Sequence, residues 1–193
     1  MKRIGIFGGA FNPPHIAHSI AAQHVTDELK LDKMIFIPSG NHPLKESISS
    51  EHRLAMAKLA FGNNGKFEVS DIEIRDSGEK TYTVETLQKL KEVYINENVK
   101  FFLILGADNI LILDKWKQPE KLFELAEIIV VGRPGSELEK AESKYSSRIR
   151  IVPIPLMEIS SSKIRTLIRE KKSVRYMISS EVEKYIYVNR LYI

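Results

Sequence analysis

The chain has 193 residues, 43% of them apolar, which is enough to bury one substantial core. Lys and Arg number 29 against 25 Asp and Glu, a formal charge of +4; this suits small anionic substrates and excludes the basic block of a DNA-binding arm. No Cys occurs, which excludes a disulfide framework and a thiolate zinc site and makes the cytoplasm the expected compartment.

Residues 1–7 are basic and then apolar, but Gly8 and Gly9 interrupt them too early for a signal peptide. The longest apolar run, 101–105, is far short of the roughly 20 residues that span a bilayer. The expectation is a chain neither exported nor embedded in a membrane, acting on small molecules and not on nucleic acid. Its oligomeric state stays open, a homo-oligomer included.

Short apolar runs at 3–7, 34–38, 101–105, 128–131 and 149–152 are each followed by Gly, Pro or polar residues and then by helical spacing. Strand alternating with helix predicts an α/β fold: a Rossmann-like, doubly wound, mostly parallel sheet with helices on both faces. One domain is expected over 1–193, with a helical C-terminal part from about residue 159. The first helix is expected from Pro14 or His15, with Ile16, Ile20, Ala21, Val25 and Leu29 on its core face. A second follows Ser49 and carries Leu54, Ala57, Leu59 and Ala60; a third runs from Thr83 through Leu87, Leu90 and Val93, with Glu85 and Lys89 as a surface pair. The polar stretch 136–148 reads as surface helix or loop, and 160–169 as a helix capped by a serine.

In such sheets ligands bind beyond the carboxyl ends of the strands, and the chemistry-bearing residues fall on those loops. Gly8-Gly9-Ala10-Phe11-Asn12-Pro13-Pro14-His15-Ile16-Ala17-His18 joins the first strand to the first helix. Glycines let backbone N–H groups approach a phosphate, and the helix start adds the positive end of its dipole. His15 and His18, three apart, project from one side and can donate to phosphate oxygens. The bland reading is a tight turn beside structural histidines. A zinc reading needs a third ligand from His24, His42, His52 or a distant carboxylate, and stays as an alternative. The glycines form neither GxGxxG nor a P-loop, which excludes a dehydrogenase fingerprint.

This first motif resembles the GGxFxPxHxxH signature of the HxGH nucleotidyltransferases, with Ala17 in place of the glycine between the histidines. Ile159-Ser160-Ser161-Ser162-Lys163-Ile164-Arg165 is similar to the family's second signature, ISSTxIR, with Ser162 for threonine. The resemblance implies the HxGH fold and adenylyl transfer from ATP. It implies catalytic roles for His15, His18, Lys45 and Arg165, all supplying positive charge, and ATP contacts at Gly8, Gly9, Phe11, His18, Ser161 and Arg165. Gly106-Ala107-Asp108 resembles the family's GxD, implying ATP contacts at Gly106 and, on the ribose hydroxyls, at Asp108. The plainer role for Asp108 is helix N-cap. Arg133, in Arg133-Pro134-Gly135, matches an RPG that borders adenine and phosphate in relatives.

Three weaker matches bear on the acceptor. Residues 81–87, TYTVETL, are similar to the SYTxxTL stretch of bacterial nicotinate-mononucleotide adenylyltransferases, which places Thr83 beside the pyridine. Asp114-Lys115-Trp116-Lys117 resembles that group's tryptophan segment, and Trp116 is the chain's only Trp; Lys117 stands where an aromatic is common. Lys45 aligns with the lysine of a PPHK loop that grips the mononucleotide phosphate, with Leu44 where the histidine stands.

The resemblance thus implies an enzyme that joins AMP from ATP to nicotinate mononucleotide, giving nicotinate adenine dinucleotide and pyrophosphate for NAD biosynthesis. Mg²⁺ is expected to be held mainly by substrate phosphates, with no metal site of the protein's own. The alternatives are an HxGH adenylyltransferase for nicotinamide mononucleotide or phosphopantetheine, and a non-catalytic nucleotide-binding module.

Overall fold

The computed structural model describes residues 1–40, 48–75, 81–132, 144–155 and 157–193. Lys45 and Arg133, two of the expected site residues, lie outside these, as does most of 136–148.

The elements alternate along the chain. Strand β1 (Lys2–Gly9) leads to helix α1 (Ile16–Glu28), β2 (Lys33–Pro38) to α2 (Ser50–Phe61), then β3 (Phe67–Val69) to α3 (Thr83–Val93). There follow β4 (Val99–Gly106), α4 (Ala107–Ile110), α5 (Pro119–Leu125), β5 (Glu127–Gly132), β6 (Ile149–Pro153), α6 (Ser161–Arg169) and α7 (Ser180–Val188). The six strands form one sheet in the order β3-β2-β1-β4-β5-β6. The pairs β1·β4, β4·β5 and β5·β6 are parallel, in registers such as Ile6↔Leu103, Leu103↔Ile128 and Val130↔Ile151. Strand order reverses at β1, the arrangement of Rossmann-like sheets, and the Gly-rich motif leaves the carboxyl end of that strand. The expected fold class is the observed one. All five expected strands are present, each longer by one to three residues, and β3, too short and too polar to be read from periodicity, is additional.

Contacts group the residues into two compact units. One comprises 1–8, 21–35 and 81–156; the other comprises 9–20, 36–80 and 157–193. In the first, Ile4, Phe102, Ile104, Ile128, Ile129 and Val130 are fully buried, the near-continuous apolar runs expected of a covered parallel sheet. Gly5 is required there, since a Cβ would stand 2.7 Å from Leu31 Cδ1 and 2.8 Å from Met34 Sδ. Arg3 closes the end of α1 by donating from Nε to the Leu29 carbonyl at 2.8 Å. In the second unit, α2, α6 and α7 enclose Met56, Ile164, Ile168, Val174, Ile178, Val182, Ile186 and Leu191.

Two helix faces differ from expectation. Helix α1 starts at Ile16, which is 40% exposed; its buried residues are Ala21, Ala22, Val25 and Thr26, because the first turn is given over to the loop before it. Helix α2 buries Ser50, Arg53, Met56, Ala57 and Phe61, with Leu54, Leu59 and Ala60 only half-buried. Val93, at the end of α3, is exposed.

Candidate active site

The site is built from the loop after β1. Phe11 adopts a left-handed backbone, φ 46°, a conformation uncommon for a bulky residue and sustained only where surroundings dictate it. Its ring does so: it is 2% exposed and makes edge contacts with Phe36, Phe61 and His18, centroids 6.0, 5.4 and 5.1 Å apart. Gly9 lies against it, since a Cβ there would meet the Phe11 ring at 3.2 Å. The chain therefore turns sharply over its own aromatic anchor and delivers His15 and His18 to the start of α1.

The two imidazoles stack, centroids 3.7 Å apart and planes 26° from parallel. His18 Nδ1 accepts from the His15 backbone N–H at 3.1 Å, which places the proton of the neutral ring on Nε2. Burial pushes the His15 pKa down to about 4. Burial, with the neighbouring His15 charge second, pushes that of His18 down to about 3. In the free protein both rings are therefore neutral at pH 7: they are hydrogen-bonding groups, and the positive charge the sequence assigns to them appears only if an anion restores it. His15 Nδ1 is buried and none of the described residues pairs with it.

The second motif closes on the first. Ser160 caps α6, its side chain accepting from the Lys163 N–H at 3.2 Å, as the sequence predicts. Ser161 Oγ donates to the Pro13 carbonyl at 2.8 Å. Arg165 Nη1 donates to the Asn12 carbonyl at 2.8 Å, and its Nη2 to Ser162 Oγ at 3.4 Å. The Ser161 proton is thus spent on the loop, so toward phosphate this hydroxyl is an acceptor with no donor to offer in this geometry. Arg165 keeps further N–H groups, since a guanidinium carries five.

Two residues that the sequence reading missed complete the loop's support. Tyr192 donates to Asn12 Oδ1 at 2.5 Å, and burial raises its pKa. Arg53, 1% exposed, donates from Nη1 to the Ala10 carbonyl (3.1 Å) and Ser39 Oγ (3.3 Å), and from Nη2 to the Gly40 carbonyl (3.0 Å). The signal for Arg53 was its place on one helical stripe with Ser50, Met56 and Ala57; nothing local marked Tyr192.

So one unit brings together Gly9, Phe11, His15, His18, Ser161 and Arg165. The other holds Gly8, Thr83, Gly106, Asp108 and Trp116. Asp108 is exposed in the first turn of α4, whose N-cap is Gly106, so the aspartate is not the cap. Thr83 begins α3. Trp116 is half-buried at the end of a 3₁₀ turn, its N–H donating to the Leu113 carbonyl at 3.1 Å. Lys117 ties the two segments together: Nζ pairs with Glu85 at 2.5 Å and lies 4.3 Å from the Tyr82 ring centroid. Glu85 thereby serves Lys117 across the fold in place of a simple pairing along its own helix.

Among the described residues no group of three or more His, Cys, Asp or Glu gathers to hold a metal, and no helix is long and apolar enough to cross a membrane.

A stacked histidine pair at a helix start, clasped by a serine-capped helix bearing Arg, is an arrangement suited to phosphate. In agreement, the model of the cytidylyltransferase-like family matches residues 6–167, and the chain belongs to that family. A "probable nicotinate-nucleotide adenylyltransferase" of Lachnoclostridium phytofermentans is 34% identical, with 100% of each chain covered. One of Caldicellulosiruptor saccharolyticus is 37% identical over 98% of each. Among solved structures, Plasmodium falciparum nicotinic acid mononucleotide adenylyltransferase complexed with NaAD has a TM-score of 0.80 at 24% identity, covering 100% of this chain and 98% of that one; it shares the fold. Within the cytidylyltransferase-like class, the chain belongs to the nicotinate-nucleotide adenylyltransferase family.

Proposed function

We propose that this chain transfers AMP from MgATP to nicotinate mononucleotide, giving nicotinate adenine dinucleotide and pyrophosphate. The observation that carries the reading is the clasp of Ser161 and Arg165 on the Asn12 and Pro13 carbonyls, which joins two phosphate-type motifs 148 residues apart in one place.

A phosphate oxygen of the mononucleotide attacks the α-phosphorus of ATP in line; the bond to the bridging oxygen breaks and its electron pair leaves on pyrophosphate. No protein nucleophile takes part, so the chain's contribution is positioning and neutralisation. His18 Nε2–H and the His15 ring donate to the phosphates, and a triphosphate beside them favours their protonated forms. Arg165 supplies standing charge to the departing pyrophosphate. By family resemblance Lys45 grips the mononucleotide phosphate. Gly8, Gly9 and Phe11 line the nucleotide, Asp108 beside Gly106 accepts from ribose hydroxyls, and Arg133 borders adenine. Trp116 stacks on the pyridine with Thr83 nearby, a flat electron-poor ring against indole. Mg²⁺ enters as part of the nucleotide substrate, neutralising charge on its phosphates. The enzyme is proposed to work in the cytoplasm on these small molecules alone.

Purified protein given MgATP and nicotinate mononucleotide should form dinucleotide and pyrophosphate in equal amounts, with inversion at the α-phosphorus. ATP consumption without dinucleotide, or retention through an adenylylated protein, would contradict the proposal.

A further inference from the structure

We infer that Arg53 is a positioning residue for the adenylyl transfer: from the core of its unit it fixes the backbone at Ala10, after β1, and at Ser39 and Gly40, after β2. The inference rests on the function proposed above.

Arg53 is 1% exposed and sits on the buried stripe of α2. Burying a guanidinium is costly, and an apolar side chain of similar volume is commonly the more stabilising choice at such a position. Among the described residues no carboxylate forms an ion pair with it. Its partners are instead the Ala10 and Gly40 carbonyls and Ser39 Oγ, at 3.0–3.3 Å. Nε is buried with no acceptor among the described residues. Burial lowers its pKa, and the charges of Tyr192, Glu51 and Glu73 act in the opposite direction. A residue kept for stability alone would not be expected to carry an unspent donor.

Those three acceptors share one property: each belongs to a segment that ends a parallel strand. Ala10 follows β1, and Ser39 and Gly40 follow β2. The same two segments are joined directly, Ser39 N–H donating to the Gly9 carbonyl at 2.9 Å. A trans peptide is planar with its N–H opposed to its C=O. By drawing the Ala10 carbonyl inward, Arg53 therefore turns the Phe11 N–H the other way and helps fix the left-handed turn at Phe11. A lysine could supply the charge but not the planar fork that spans both carbonyls.

The test compares wild type with R53M, R53K and R53G, using thermal melting and steady-state kinetics with MgATP and nicotinate mononucleotide. R53M is expected to melt cooperatively and to lose at least 100-fold in kcat/KM, chiefly in kcat. R53K should lose at least tenfold, and R53G should regain at least tenfold on adding methylguanidinium but not methylammonium. Folded R53K within threefold of wild type, or folded R53G that methylguanidinium does not revive, would overturn the inference. An inactive wild type would instead refute the reading of function on which it rests.

Discussion

At neutral pH the stacked His15 and His18 carry no charge in the free chain, and this has a measurable consequence for stability. Their folded pKa values, about 4 and about 3, lie below the ordinary 6.5, so below pH 6.5 the unfolded chain binds protons that the folded one refuses. Stability therefore falls as pH drops from about 6.5 toward 3 and levels off below. His15 accounts for about 3 kcal/mol of that loss. Denaturant melts of His15→Gln should show a visibly flatter slope over this range than wild type; an unchanged slope would contradict the neutral stacked pair. Function makes different demands on His18 and Trp116. His18→Ala should keep the fold and lower kcat by roughly 10²–10³-fold, the effect of removing a donor aimed at developing charge; near-normal turnover would remove His18 from the site. Trp116→Ala should raise KM for nicotinate mononucleotide by roughly 3–10-fold with KM for ATP unchanged, as loss of a stacking partner dictates. Equal changes in both would assign Trp116 to packing.

Helix α6 acts on the site through its first turn. Ser160 caps it, Ser161 and Arg165 hold the Asn12-Pro13 backbone, and Ile164 and Ile168 bury its other side. Removing the cap with Ser160→Ala should cost about 1 kcal/mol in chemical denaturation. Tyr192→Phe removes the bond to Asn12 Oδ1 and should cost about 1–2 kcal/mol; full stability in either variant would show that water replaces the lost contact. The cap was legible in the sequence because a serine before an amphipathic run has a local meaning. The face of α2 was not: its stripe passes through Ser50 and Arg53, and a search for apolar residues selects Leu54 and Leu59 instead. Arg53 is buried because three acceptors from distant segments converge on it, and such convergence leaves no local periodicity. The same holds for Lys117, whose partners Tyr82 and Glu85 lie more than thirty residues away.

Over the whole chain, alternating apolar strands and amphipathic helices made the doubly wound sheet readable, since a parallel sheet covered on both faces forces near-continuous Val, Ile and Phe into its strands. Strand β3, with one exposed and two half-buried residues, carried no such imprint. The two phosphate motifs were readable as chemistry, but their clasp was not, because no sequence rule says that Ser161 and Pro13 meet. Chemistry and fold converge on adenylyl transfer to a pyridine mononucleotide, and the acceptor is the part of that claim most open to direct test. The decisive measurement is pyrophosphate release from MgATP by the purified chain, with nicotinate mononucleotide, nicotinamide mononucleotide and phosphopantetheine compared side by side. Release at least tenfold faster with nicotinate mononucleotide than with either other acceptor is predicted; release with phosphopantetheine alone, or with none of the three, would contradict it.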